Sequence, residues 1–103
     1  MIRWTVPIVL SAIALGTQVH AQDALQTCSK MQAEGRLGPL TLLQCQCNYA
    51  VAEQELDPDI RALLFDAWHT GNNNMAKVEA LKPRSRVEKQ FKAMERALRK
   101  TCQ

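Results

Sequence analysis

The residues of this chain that could do chemistry are few, and the four cysteines come first. Cys45 and Cys47 stand two apart, while Cys28 and Cys102 stand alone. A close pair of thiolates could bind copper(I) or zinc, but a structural zinc site needs two such pairs. In an oxidising compartment, four cysteines end as two disulfides. We therefore expect all four to form a disulfide scaffold, with metal handling through the Cys-x-Cys pair as the alternative.

Catalytic groups are scarcer. His69 is the only histidine after residue 21, and it falls at a predicted helix end, where an imidazolium interacts favourably with the last carbonyls. Ser29 and Ser85 fall in a helix and at a cap rather than in a nucleophile context. The chain has no glycine-rich phosphate loop, nucleotide fingerprint or metalloprotease signature. The sequence therefore predicts a protein that is not an enzyme and has no cofactor.

An export signal opens the chain. Arg3 precedes an apolar run over residues 4–16, and Val19 and Ala21 are the small residues that signal peptidase accepts before its cleavage site. The run is shorter than the roughly 20 residues of a transmembrane helix. We predict that residues 1–21 are a cleaved signal peptide. Residues 22–103 would then form one periplasmic or secreted domain, small enough to need covalent staples.

Charge is unevenly distributed along the exported part. Residues 22–74 hold three basic and seven acidic side chains, a net charge of −4, whereas residues 75–103 hold nine basic and three acidic ones, a net of +6. A basic surface favours an acidic partner. We predict that the partner-binding residues are the cations of the last helix: Arg84, Arg86, Lys89, Lys92, Arg96, Arg99 and Lys100. The competing interpretation is intramolecular, with this helix lying across the acidic side chains of the preceding ones.

The partner that this compartment and charge favour is another extracytoplasmic protein with an acidic surface. The protein would then be a binding module of the inhibitor, immunity, chaperone or accessory-subunit type. Asn72, Asn73 and Asn74, predicted to be an exposed linker, would be a secondary contact. Nucleic acid is not expected, because the last helix lacks the exposed aromatic residues that stack on bases. Peripheral binding to anionic envelope lipid is a further alternative, since a basic amphipathic helix can lie on a membrane.

The spacing of apolar residues predicts an all-α fold, a bundle of four to five short helices stapled by two disulfides. Apolar residues recur at intervals of three and four, and no stretch alternates over the length of a strand. Asp57 and Pro58 predict the start of the third helix and Gly71 its end. Ser85 with Glu88 predicts a capping box at the start of the last helix. That helix has a regular apolar stripe: Val87, Phe91, Met94, Leu98 and Cys102.

Helical geometry limits how the cysteines pair. Cys45 and Cys47 point about 200° apart on a helix of 3.6 residues per turn, so we do not expect a bond between them. Four cysteines allow three pairings, of which two remain. Cys28 pairs either with Cys45 or with Cys47, and Cys102, on the buried edge of the last helix, takes the other one.

Overall fold

The computed structural model describes residues 23–103, a range that folds as five helices and contains no strand. The helices are α1 (23–33), α2 (Leu42–Glu55), α3 (Pro58–Thr70), α4 (Met75–Glu79) and α5 (Arg84–Thr101). The predicted all-α bundle with two disulfides is confirmed. The predicted signal peptide lies outside the described residues. In the part of the chain that the structure describes, no helix has the length and hydropathy needed to span a bilayer.

Local sequence accounts for the ends of α2 and α3. A capping box starts α2: the Thr41 hydroxyl accepts from the Gln44 backbone N–H at 3.1 Å, and the Gln44 side chain accepts from the Thr41 N–H at 2.9 Å. α3 begins at Pro58 with Asp57 at the N-cap, as predicted. It ends at Gly71, whose φ of 83° lies in the left-handed region that favours glycine.

The start of α5 differs from the prediction. The helix begins at Arg84 with Pro83 at the N-cap, so Ser85 lies inside the first turn and the predicted capping box with Glu88 is wrong. The Pro83 carbonyl accepts from the Arg86 N–H at 3.1 Å, and the helix begins two residues earlier than expected. Glu88 instead forms an ion pair with Arg84 at 3.4 Å.

Apolar residues pack in two clusters. The larger one joins α2, α3 and α5, and its buried members are Ala52, Leu56, Ile60 and Val87. Half-buried residues surround it, among them Phe65, whose ring stacks on that of Tyr49 with centroids 3.8 Å apart. The smaller cluster consists of Cys28, Leu37 and Cys45 and joins α1 to α2. Both clusters meet at α2, so this helix is the centre of the fold.

The disulfides join Cys28 to Cys45 and Cys47 to Cys102, with Cα–Cα distances of 5.9 Å and 5.6 Å. This decides between the two pairings that helical geometry leaves open. One side of α2 faces α1 and the other faces the end of α5, and each side carries one of the two cysteines. α2 is therefore attached covalently to α1 and to the end of α5.

Candidate functional site

Five of the seven predicted partner-binding residues form one strip on α5. Each is exposed, and at 100° per residue they fall within an arc of about 100° on the side opposite buried Val87. Because residues three and four apart are neighbours on a helix surface, the strip is continuous. We call it the cationic face, and its members are Lys89, Lys92, Arg96, Arg99 and Lys100.

Arg86 lies on a different side of α5 and is engaged within the molecule. Its guanidinium donates to Asp57 Oδ2 at 2.9 Å and to Asp59 Oδ1 and Oδ2 at 3.0 Å each. Only 24% of its side chain is exposed. Hydrogen bonds with Gln90 and Arg86 lower the pKa of Asp57, and the one with Gln90 has the larger effect. The hydrogen bond with Arg86 also lowers the pKa of Asp59. The two carboxylates raise the pKa of Arg86 in return. This residue therefore links α5 to the start of α3.

Two further cations of α5 have partners on α5 itself. Arg84 pairs with Glu88 at 3.4 Å and Arg99 with Glu95 at 3.3 Å, both four residues apart and all well exposed. Exposed pairs of this kind contribute little to stability and leave the guanidinium accessible. Within residues 23–103, four members of the cationic face make no ion pair: Lys89, Lys92, Arg96 and Lys100.

The scaffold holds α5 at both ends. Near its start, the Gln90 side chain accepts from the Asp57 backbone N–H at 2.7 Å, beside the Arg86 ion pairs. At its end, Cys102 is bonded to Cys47 of α2. Between these points α5 packs chiefly on α2. The cationic face is thus presented by a helix that is already ordered, which lowers the entropic cost of binding.

An apolar groove of about 480 Å³ lies between α3, α4 and the first half of α5. We call it the α3–α5 groove. Met75, on the α4 side, is 62% exposed, and Lys92 belongs both to the rim of the groove and to the cationic face. The other apolar lining residues come from all three helices: Leu63, Leu64, Ala67, Val78, Val87 and Phe91.

The sequence does not indicate this groove, because the lining residues have the spacing of core residues. Leu63, Leu64 and Ala67 have the three- and four-residue spacing that is typical of a covered helix face. The five residues of α4 are too few to cover them, and the groove stays open. The one available signal was Met75, an apolar residue that directly follows a polar linker and starts a very short helix.

The linker before α4 was predicted to be exposed over its whole length, but only part of it is. Asn72 and Asn73 are exposed, whereas Asn74 is only 6% exposed. The Asn74 side-chain amide donates to the Leu63 carbonyl at 2.8 Å and to Asp66 Oδ2 at 2.9 Å. Asn74 therefore fastens the linker to α3, and the prediction of a surface contact is wrong for this residue.

His69 contacts α1, which sequence alone did not indicate. Its Nδ1 lies 3.2 Å from the buried Thr27 hydroxyl, at the edge of a depression of about 350 Å³. The His69 carbonyl accepts from Lys30 Nζ at 2.6 Å and from Arg36 Nη2 at 3.2 Å. The contact joins α1 to α3.

The metal hypothesis required Cys45 and Cys47 as thiolates, and each of them is in a disulfide. Among residues 23–103, no three His, Cys, Asp or Glu side chains are grouped so that they could hold a metal ion.

Neither the family models, nor the curated proteins, nor the solved structures include a match to this chain.

Proposed function

We propose that this protein is an extracytoplasmic, non-enzymatic binding module whose cationic face binds an acidic surface of another protein. The observation that carries the proposal is the strip of exposed cations on a helix fixed at both ends. Four of the five make no ion pair within residues 23–103, so their charge is available to a partner. The two disulfides support an oxidising, extracytoplasmic location.

Charge of one sign along a rigid surface acts mainly on the rate and the specificity of association. It steers an oppositely charged partner toward the face, and the effect weakens as added salt shortens the Debye length below about 10 Å. We therefore expect binding that is fast at low ionic strength and strongly sensitive to salt.

A protein partner is favoured over a lipid surface by the way α5 is packed. A helix that lies on a membrane places its apolar side in the acyl region. The apolar side of α5 is instead directed into the core, where Val87 is 2% exposed and Phe91 and Met94 pack against the larger cluster. What α5 offers to a partner is charge, and an acidic protein surface matches it.

The test is affinity capture from the extracytoplasmic fraction of cells that produce the protein. Three forms of the whole protein are compared: wild type, Lys92→Glu/Arg96→Glu, and the control Lys77→Glu/Lys82→Glu. Both variants change the net charge by the same amount, but only the first changes the cationic face. We expect the first variant to lose roughly tenfold or more of the captured partner, equivalent to about 1.4 kcal/mol or more, and the control to resemble wild type.

Equal loss in both double variants would mean that net charge, rather than the cationic face, governs capture, and would overturn the proposal. Wild-type capture that persists at about 0.5 M salt, where charge is screened over a few ångströms, would also contradict it. Vesicles with and without anionic phospholipid form the second arm. Binding to anionic vesicles that the first double variant loses, without any captured protein, would assign the face to lipid.

A further inference from the structure

The depression beside His69 lies where α1, α2 and α3 meet, and it is lined by two carboxylates. Its volume of about 350 Å³ falls within the range of about 300–1,000 Å³ that is usual for ligand sites. Asp23 of α1 and Asp66 of α3 line it, whereas no lysine or arginine of the described residues does. We call it the acidic depression. Charge of this sign attracts a cation.

Neither carboxylate of the acidic depression has a cationic partner. In the part of the chain that the structure describes, Asp23 and Asp66 make no ion pair. Asp66 Oδ2 accepts only from the neutral Asn74 amide, at 2.9 Å. Other carboxylates are each paired with an arginine or a lysine: Glu34, Asp57, Asp59, Glu88 and Glu95. The two charges that line the depression are therefore available to a ligand.

Cationic side chains near the acidic depression are engaged elsewhere. Lys30 and Arg36 donate to the His69 carbonyl, and both pair with Glu34, at 3.1 Å and 2.7 Å. Arg61 donates to a backbone carbonyl of α2 at 2.9 Å. None of these cations lines the depression. The charges that a ligand meets first are therefore those of the two aspartates.

Tyr49 is a buried polar residue whose hydroxyl has no protein partner. The residue is 6% exposed and lines the acidic depression, and its hydroxyl forms no hydrogen bond with another residue of 23–103. The hydroxyl still reaches solvent, because no fully buried side-chain oxygen in this range lacks a partner. Burial, followed by the charges of Asp23 and Glu53, raises the pKa of Tyr49, so the phenol is neutral. Its oxygen therefore opens onto the depression near Asp23 and can accept from a ligand.

We propose that the acidic depression binds a primary alkylammonium group, supplied either by a small amine or by a lysine side chain of another protein. An ammonium has three donors and no acceptor, and the depression offers it acceptors from three helices: the Asp23 and Asp66 carboxylates and the Tyr49 hydroxyl. Phe65, half-buried and stacked on Tyr49, adds aromatic surface, which suits an alkyl stem and a cation. This site is separate from the cationic face and does not depend on the proposed function.

The probes are n-butylammonium, 1-butanol and a capped tripeptide with a central lysine, each titrated into the whole, oxidised, isotope-labelled protein at neutral pH. Binding is followed by NMR amide shifts. Butanol has the same stem as butylammonium but no charge. We expect butylammonium to bind at least about fivefold more tightly than butanol, because it interacts with two carboxylates. The shifts should centre on residues that line the acidic depression, including Thr27 and Asp66.

Protein variants locate the site. Asp23→Asn removes an exposed carboxylate and should weaken butylammonium binding about fivefold. Tyr49→Phe keeps the ring on Phe65, removes only a hydroxyl without a protein partner, and should weaken binding about threefold. The matched control is Glu79→Gln, which removes the same charge from an exposed position on α4 outside the depression and should bind as wild type does. Thermal melts of all three variants should resemble that of wild type.

Tighter binding of the lysine peptide than of butylammonium would assign the ammonium to a protein partner, and weaker binding would assign it to a small amine; both support the site. Equal binding of butylammonium and butanol would overturn it, as would equal losses in Asp23→Asn and Glu79→Gln. Contacts between the protein's own N-terminal ammonium and the Phe65 ring would show that the chain fills the depression itself, which would also overturn it. Each of these failures would leave the proposed function of the cationic face intact.

Discussion

Arg86 and Arg96 carry the same charge on the same helix, ten residues apart, and meet different surroundings. Arg86 lies beside the corner between α2 and α3, where Asp57 and Asp59 accept its hydrogen bonds. Arg96 lies on the side of the helix opposite buried Val87, as the 100° spacing per residue requires. The position of each residue around the helix axis, rather than its type, decides whether its charge serves the fold or is available to a partner.

Replacing Arg86 should change how the Tm of the protein depends on pH. Because the pKa values of Asp57 and Asp59 are lowered in the folded state, pairing stabilises the fold above their unfolded value of about 4 and is lost as the pH falls through the folded values. We expect Arg86→Ala to lower the Tm at pH 7 and the difference from wild type to shrink below about pH 4. Circular dichroism melts across this range provide the measurement.

Lys89→Ala is the control for this experiment, since it removes the same charge from an exposed position that makes no ion pair within residues 23–103. Its melts should follow those of wild type at each pH. If the difference in Tm between Arg86→Ala and wild type stayed constant from pH 7 down to about pH 2, well below the ordinary pKa of an aspartate, the ion pairs would not be its cause.

Arg36 should stabilise the C-terminal end of α3. Its Nη1 donates to the Trp68 carbonyl at 2.8 Å, and 28% of its side chain is exposed. Hydrogen bonds from charged groups contribute about 1.5–3 kcal/mol, and partial exposure reduces this. We expect Arg36→Ala to cost about 1 kcal/mol in urea denaturation. Arg99→Ala, whose partner is an exposed carboxylate on the same helix, is the control, and an equal loss for both would contradict a role at the helix end.

At the scale of the elements, α2 organises the molecule because its two cysteines point to opposite sides. Cys45 attaches α1 and belongs to the smaller cluster, whereas Cys47 attaches the end of α5. The other end of α5 depends on Gln90 and Arg86. The helix that bears the cationic face is therefore held by a covalent bond at one end and by polar contacts at the other.

Removing each disulfide separately should loosen a different helix. Cys47→Ala/Cys102→Ala opens a loop with a sequence separation of 55, and Cys28→Ala/Cys45→Ala one of 17. Loop entropy gives costs on the order of 4 and 3 kcal/mol. Hydrogen exchange should accelerate in the last turn of α5 in the first variant and in α1 in the second. The same exchange pattern in both variants would show that the helices do not depend on separate bonds.

On the scale of the whole molecule, a thin core is divided between two clusters. The buried hydrophobic residues of the described part number nine, two of them disulfide-bonded cysteines, and fully burying a large one contributes only about 1.5–3 kcal/mol. Domains of this size usually need covalent staples. The combined loop-entropy contribution of the two bonds, on the order of 7 kcal/mol, is comparable with the entire stability of a typical domain, about 5–15 kcal/mol.

Reduction should therefore unfold the protein or lower its Tm strongly. The measurement is a thermal melt with and without a thiol reductant at neutral pH, with mass spectrometry used to verify that both bonds are open. A fully reduced protein with an unchanged Tm would contradict the view that the disulfides support the fold. Partial reduction that opens only one bond should give the intermediate stability expected from the corresponding alanine pair.

The sequence alone determined the features that depend on neighbours along the chain. Backbone geometry within a few residues explains four of them: the helical period, the start of α3 at Asp57 and Pro58, its end at Gly71, and the divergence of Cys45 and Cys47. The concentration of cations in α5 could likewise be counted. Where a local signal was ambiguous, as at Ser85, an equally local feature, the preceding Pro83, set the start of the helix instead.

Only the tertiary structure decided which distant groups meet. Three features depend on how the helices rotate and cross, which is set by packing across the whole core. They are the partner of Cys28, the engagement of Arg86 by Asp57 and Asp59, and the burial of Asn74. The α3–α5 groove arises in the same way, because a short α4 leaves apolar residues uncovered that local periodicity could only assign to the interior. Chain-local physics thus explains the elements and the charge, whereas the surface available to a partner follows from their assembly.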